Sequence, residues 1–141
     1  MKKTIRDFVF SGAVLMTIGG LSQAAEVNLV PQRGVTSNLP DGLRIATGRI
    51  VCREAHTGFH VWINAHPVGN RVGSYIIQGK QGRGHELRVR IDGDRWSPSV
   101  TKREGMVRHT QNEQAVFDVV ADGKQHVVPD EYIYTVTGEC L

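Results

Sequence analysis

The chain has 141 residues, with 17 basic against 14 acidic side chains and a formal net charge of +3. That length suits one folded domain, and a charge this close to balance, with no basic run interleaved with aromatics, sets nucleic-acid binding aside. The excess also sits in the wrong place for it, because Lys2, Lys3 and Arg6 lie among the first ten residues, and with Asp7 they leave only +1 on the remainder.

Those three cations precede an apolar run from Phe8 to Leu21, which is closed by Ser22-Gln23-Ala24-Ala25. This is the layout of an export signal peptide. The run is too short for a spanning helix, which needs ~20 apolar residues. Small residues at Ser22 and Ala24 predict cleavage after Ala24, with 1–24 as leader and 25–141 as one mature domain.

Beyond Ala25 no window sustains a helical period, whereas short alternating runs recur between Gly, Pro, Asn and Asp clusters, the pattern of an all-β chain. Strands are predicted at Val27 to Val30, Leu43 to Cys52, Phe59 to Ala65, Ser74 to Gln78, His85 to Asp92, Ala115 to Asp122 and Tyr132 to Cys140. In the second of these, Leu43 and Ile45 share a face that Ile50 and Cys52 do not, which asks for a bulge near Gly48. Strict alternation puts Phe59, Val61 and Ile63 inward and turns Trp62 outward beside His60 and Asn64, where a core or loop-covered tryptophan is expected ahead of an exposed contact residue. Gly79 to Gly84 reads as a flexible hairpin tip, and Gly93 to Gln114 as a long polar connection. Leu87, Val89 and Ile91 form one face of the next strand, and Phe117, Val119 and Ala121 that of the following one. In the last strand Tyr132, Tyr134, Val136 and Cys140 share the inward phase.

Seven short strands at this spacing suit a β-sandwich, and the order Cys52, Trp62, Cys140 is that of an immunoglobulin-like domain. Export to an oxidising compartment predicts a Cys52–Cys140 disulfide. The last strand of such a sandwich is missing, because the chain stops one residue after its second cysteine. A sandwich in that state exposes an apolar groove and an unpaired edge, a template for a strand from another chain. Val27 and Leu29 on one side, with Tyr132, Tyr134 and Val136 on the other, are the expected groove. Only a short stretch, broken by Pro31 and Pro40, precedes Gly42, so the domain is expected to accept a strand and donate none.

Three stretches carry a family resemblance. Ala46-Thr47-Gly48-Arg49-Ile50-Val51-Cys52-Arg53-Glu54-Ala55-His56-Thr57-Gly58-Phe59-His60-Val61-Trp62 resembles the corresponding region of the AfaD/DraD group of Afa/Dr fimbrial invasins. His85-Glu86-Leu87-Arg88-Val89-Arg90 with Trp96-Ser97-Pro98, and Phe117-Asp118-Val119-Val120-Ala121-Asp122-Gly123, are similar to it too. The resemblance implies an incomplete pilin-type sandwich and a minor subunit at a fimbrial tip on the cell surface. It also implies passage through the periplasm, a periplasmic chaperone, an outer-membrane usher and a neighbouring subunit as partners, and adhesion to and invasion of host cells through a surface receptor of the β1 integrin class. The penultimate Cys140 stands where the wider pilin pattern has an aromatic.

No catalytic constellation, cofactor motif or metal site is predicted. On a strand His56 and His60 would lie ~13 Å apart, too far to share an ion. His85-Glu86 has Val89 where a zinc-protease motif needs its second histidine, and Gly79 to Gly84 is followed by His85-Glu86 rather than the Lys-Ser/Thr of a phosphate loop. The competing reading is a secreted enzyme or inhibitor with a self-sufficient sandwich. Host contact is sought in the Gly93 to Gln114 connection, where Arg95, Trp96, Lys102, Arg103 and Arg108 offer charge and an aromatic anchor.

Overall fold

A computed structural model describes residues 3–10, 14–18, 25–102 and 104–141, the first two segments by their backbone alone. The predicted cleavage site and Arg103 lie outside the described residues. The chain is all-β: β1 (Lys3–Phe10), β2 (Val14–Ile18), β3 (Glu26–Pro31), β4 (Asn38–Leu39), β5 (Arg44–Val51), β6 (Gly58–Ile63), β7 (His66–Val68), β8 (Arg71–Gln78), β9 (Glu86–Asp92), β10 (Ser97–Pro98), β11 (Met106–His109), β12 (Gln114–Ala121), β13 (Gln125–His126) and β14 (Tyr132–Cys140). All seven predicted strands are present as β3, β5, β6, β8, β9, β12 and β14.

Two six-stranded sheets form the layers of an immunoglobulin-like sandwich, in the orders β10-β11-β6-β14-β1-β2 and β3-β5-β12-β9-β8-β7, with β4 and β13 as a separate ribbon. Every strand pair described is antiparallel. Period-2 alternation explains which faces meet, as in β9, where Leu87, Val89 and Ile91 are buried and Arg88 and Arg90 only half so. The core between the layers is filled by Val27, Leu29, Ile50, Phe59, Tyr75, Phe117, Tyr132 and their neighbours.

Cys52, just past β5, and Cys140, ending β14, form a disulfide with Cα atoms 6.0 Å apart. It pins one sheet to the other across 88 positions of sequence, and the chain-entropy argument assigns such a link about 4.6 kcal/mol.

Three expectations need correction and one open one is decided. The β5 bulge lies at Ile45, not Gly48, because Val119 pairs with Ala46 while Val120 pairs with Arg44. The extra residue lets both Ile45 and Ala46 be buried. Gly48 serves packing instead: a Cβ there would lie 2.2 Å from the Phe117 ring, which covers the glycine. Second, the Gly93 to Gln114 connection holds a strand, β11, paired with β6. Third, of the two readings of Trp62 the loop-covered one holds, because both faces of β6 are buried. The segment before β11 covers its outer face, with Gly105 packed so closely that a Cβ would meet the Trp62 Cβ at 2.8 Å and the His60 Nε2 at 3.0 Å. Fourth, the Gly79 to Gly84 tip is held down, its Gln81 amide donating to both carboxylate oxygens of buried Asp130 at 3.0 and 2.9 Å.

Candidate functional site: the edges of β3 and β14

Sheet edges carry unpaired backbone donors and acceptors, so the long ones define where another strand can join. β14 is the longest strand, with nine residues. One of its edges pairs with β6 between Val136 and Cys140. Along the other runs β1, antiparallel and in unbroken register from Lys3 opposite Glu139 to Phe10 opposite Tyr132. The segment that the sequence assigns to the leader therefore fills the sheet position following β14. β1 also contacts β3, which is an edge strand of the opposite sheet.

The five groove residues expected from sequence come together here. Val27, Leu29, Tyr132, Tyr134 and Val136 are each at most 3% exposed and belong to one apolar core. Burial pushes the Tyr134 phenol far above its usual range and raises that of Tyr132, so both remain neutral. The Tyr132 hydroxyl donates to the Val128 carbonyl, which fixes the ring at one end of the strand. At the other end β3 closes on β14: a Cβ on Gly138 would lie 2.6 Å from Ile50 Cδ1 and 2.7 Å from Val27 Cγ2. Gly138 is the residue that permits this approach.

The two ends differ in chemistry. Beside Tyr132, Asp130 accepts from the Gln81 and Glu131 amides and from His85 Nδ1 at 2.9 Å, so the Gly79–His85 loop is bolted to the start of β14. Burial alone would raise the Asp130 pKa, but His85 and the two amides outweigh it and hold the carboxyl below its ordinary range. Beside Cys140, His56 bridges the carbonyls of Glu54 and Asn112, each at 2.7 Å, and ties two polar loops together.

The candidate host-contact residues do not form one surface. Trp96 is only 8% exposed, its indole N–H donates to the Val116 carbonyl at 2.7 Å, and its ring meets Phe117 edge-on at 5.8 Å. It is a core residue, so the expectation of an exposed aromatic anchor is corrected. The turn before it explains the burial: Arg95 takes the left-handed φ of 66° and turns the chain back over the sandwich. The Arg95 side chain stays exposed, 3.9 Å from Asp94. Lys102 Nζ reaches Glu139 at 3.5 Å. Arg108 is half-buried on β11 with no hydrogen-bond partner for Nε.

Sequence reasoning missed a buried polar cluster on the outer face of β6 and β14. His60 Nδ1 lies 3.2 Å from Glu139 Oε1 and its Nε2 lies 2.6 Å from the Glu104 carbonyl, while the imidazole stacks on Trp62 at 4.6 Å. Alternation marks His60 and Glu139 as solvent-facing, and a covering loop is expected over Trp62 alone. Among the described residues no three His, Cys, Asp or Glu side chains are grouped to hold a metal ion.

With this geometry in view, the profile of the Enterobacteria AfaD invasin protein family matches residues 35–138. Protein AfaD of Escherichia coli is 51% identical over 134 residues, covering 94% of this chain and 90% of that protein. Among solved structures, HdaB, the minor tip subunit of the E. coli Hda pilus, superposes with a TM-score of 0.78 at 40% identity, over 83% of this chain and 82% of that one. A structure describing fibronectin binding and biofilm formation by the AAF fimbriae of enteroaggregative E. coli superposes with a TM-score of 0.77 at 45% identity, over 84% and 88%. The chain thus belongs to the AfaD invasin family, among relatives that are minor subunits of fimbriae.

Proposed function

We propose that the chain is exported through the periplasm, loses residues 1–24, and is built into a fimbrium as a tip subunit whose sandwich is completed by a strand from a neighbour. The observation that supports this most is the unbroken pairing along β14 by Lys3–Phe10, a segment that export would remove. Cleavage then opens a groove between β3 and β14 in which Val27, Leu29, Tyr132, Tyr134 and Val136 would be bared. A periplasmic chaperone would fill it first, an outer-membrane usher would direct assembly, and the neighbour's strand would replace the chaperone's. Main-chain hydrogen bonds supply affinity and the alternating pockets supply register.

The geometry suggests its own test. A strand appended after Leu141 through a short flexible linker would turn back antiparallel along β14, as β1 does. A fimbrial donor strand placed there should yield a soluble monomer that melts far above the unfused chain 25–141. An unfused chain that is already monomeric, resists denaturation and gains nothing from the strand overturns the proposal.

At the tip the subunit would contact host cells and promote their invasion. Arg95 and Lys102, with Arg103, remain the candidate contacts after Trp96 is removed from the set. The resemblance favours a β1 integrin as receptor, and the AAF relative's association with fibronectin favours a matrix protein as the second reading. Binding of the strand-completed monomer to immobilised β1 integrin ectodomain and to fibronectin separates them. Loss of both signals on reversing Arg95 and Lys102 to glutamate would support these contacts, and unchanged binding would remove them.

A further inference from the structure

The side of the sandwich away from β3 and β14 carries a second opening. One sheet ends there in β8 and β7, and the other in β11 and β10. Between the β7–β8 hairpin and the segment before β11 lies a cleft of about 590 Å³, whose walls include Asn70, Arg71, Tyr75, Lys102, Glu104 and Gly105. That volume falls within the ~300–1,000 Å³ of sites that hold small molecules.

The polar groups on these walls are unusual. Tyr75 is 1% exposed, and its hydroxyl has no hydrogen-bond partner. Leaving a buried hydroxyl unpaired is costly, so such a group calls for an explanation. Burial pushes the phenol up to about 12, against the pull of the nearby Ile63 and Gly105 backbones, so it keeps its proton. Those two neighbours act on it as N–H donors, and what the hydroxyl lacks is therefore an acceptor oxygen.

Two cations stand on the same cleft. Arg71 donates to Asp122 at 2.8 Å, yet its side chain is 62% exposed, and a guanidinium has further donors to offer. Lys102 Nζ lies 3.5 Å from Glu139, with its side chain 50% exposed. Glu104 adds a carboxylate, which repels a bare anion but accepts from hydroxyl groups. A ligand with an anionic group for the cations, hydroxyls for Glu104 and an acceptor oxygen for Tyr75 is an acidic sugar.

We infer that this cleft binds an acidic sugar, with Arg71 and Lys102 taking its anionic group, Glu104 its hydroxyls and Tyr75 an acceptor oxygen. The site goes beyond the donor-strand reading and does not rest on it. Because it lies across the sandwich from the groove, a subunit whose groove is filled would still offer the cleft to solvent.

Nuclear magnetic resonance tests the site on isotope-labelled chain 25–141 completed by an appended strand. Sialyllactose and a sulfated heparin disaccharide are the probes, with lactose and inorganic phosphate as controls. The inference expects saturable amide shifts at Asn70, Arg71, Glu104 and Gly105 with an acidic sugar, and at least tenfold weaker binding of both controls. Which of the two probes binds distinguishes a carboxylate from a sulfate source. Lys102→Glu should weaken binding at least tenfold. Tyr75→Phe should weaken it about fivefold without lowering the melting temperature, because only an unpaired hydroxyl is removed. Arg83→Glu, at an exposed cation outside the cleft, should bind normally. Absence of shifts with both acidic sugars overturns the site, as does binding that either Lys102→Glu or Tyr75→Phe leaves unchanged. Equal weakening by Arg83→Glu would reduce the effect to surface charge and overturn it too. The melting temperature gained from the appended strand reports the donor-strand reading separately, and an unfused chain that proves self-sufficient is titrated in the same way.

Discussion

Each sheet has a blunted side and a long side, and the contrast shows where this protein suspends its protection against unwanted pairing. On the blunted side one sheet ends in the two-residue β10, which contains Pro98, and in β11, where Arg108 is half-buried on the edge strand. The other sheet ends in β7, three residues with Pro67 at the centre. Short strands, prolines and inward charges are the devices that stop edges from recruiting other chains. On the long side stand β3, an edge strand of six residues, and β14 with nine, beyond which lie only β1 and β2 from the segment assigned to the leader. With residues 1–24 removed, as proposed, this long side would be the one left without such devices among the described residues.

Removing the disulfide should break this contrast most. It ties the end of β5, the neighbour of β3, to the end of β14, so it links the sheet that carries β3 to the sheet that carries β14. A Cys52→Ser, Cys140→Ser double variant should lose about 4.6 kcal/mol, seen as a fall in urea midpoint of the strand-completed monomer. An unchanged midpoint would show that the sandwich halves hold together without it.

Trp96→Ala tests the blunted side, where the segment from Gly93 to Gly105 folds back over the core. Truncating a buried tryptophan costs about 3–5 kcal/mol. Lowered stability with receptor binding retained in the folded fraction is expected, and a variant of normal stability that fails to bind would return Trp96 to the contact surface.

Asp130→Asn tests the loop bolted to the start of β14. Because the folded pKa of Asp130 is depressed, its charge stabilises the fold fully above the unfolded-state value of about 3.9, and that contribution fades as pH falls through it toward the folded value. The wild-type chain should therefore melt above the variant at pH 7, with the gap closing below pH 4. A constant gap from pH 7 to 3 would mean that shape, not charge, holds the loop.

The smallest effect belongs to Arg53, whose guanidinium lies 2.6 Å from Glu26 at the start of β3, with both side chains largely exposed. Arg53→Ala should leave the urea midpoint almost unchanged, because an exposed ion pair is screened by solvent. A larger loss would mean that the β3 edge depends on this pair for its position.

Sequence alone determined the strands whose one face is wet. Period-2 alternation is a local signal, so β9, β12 and β14 and the inward phase of Tyr132, Tyr134 and Val136 could be read directly, and the pairing of two cysteines needed only an oxidising compartment. Tertiary structure decided everything that depends on a second cover. Trp62, His60 and Glu139 alternate as an outer face, yet the segment leading to Gly105 lies over them. Trp96 sits in a polar stretch, yet the left-handed turn at Arg95 sends it into the core. The bulge moved to Ile45 because its position is set by pairing with β12, a strand some seventy residues away that no local pattern can register.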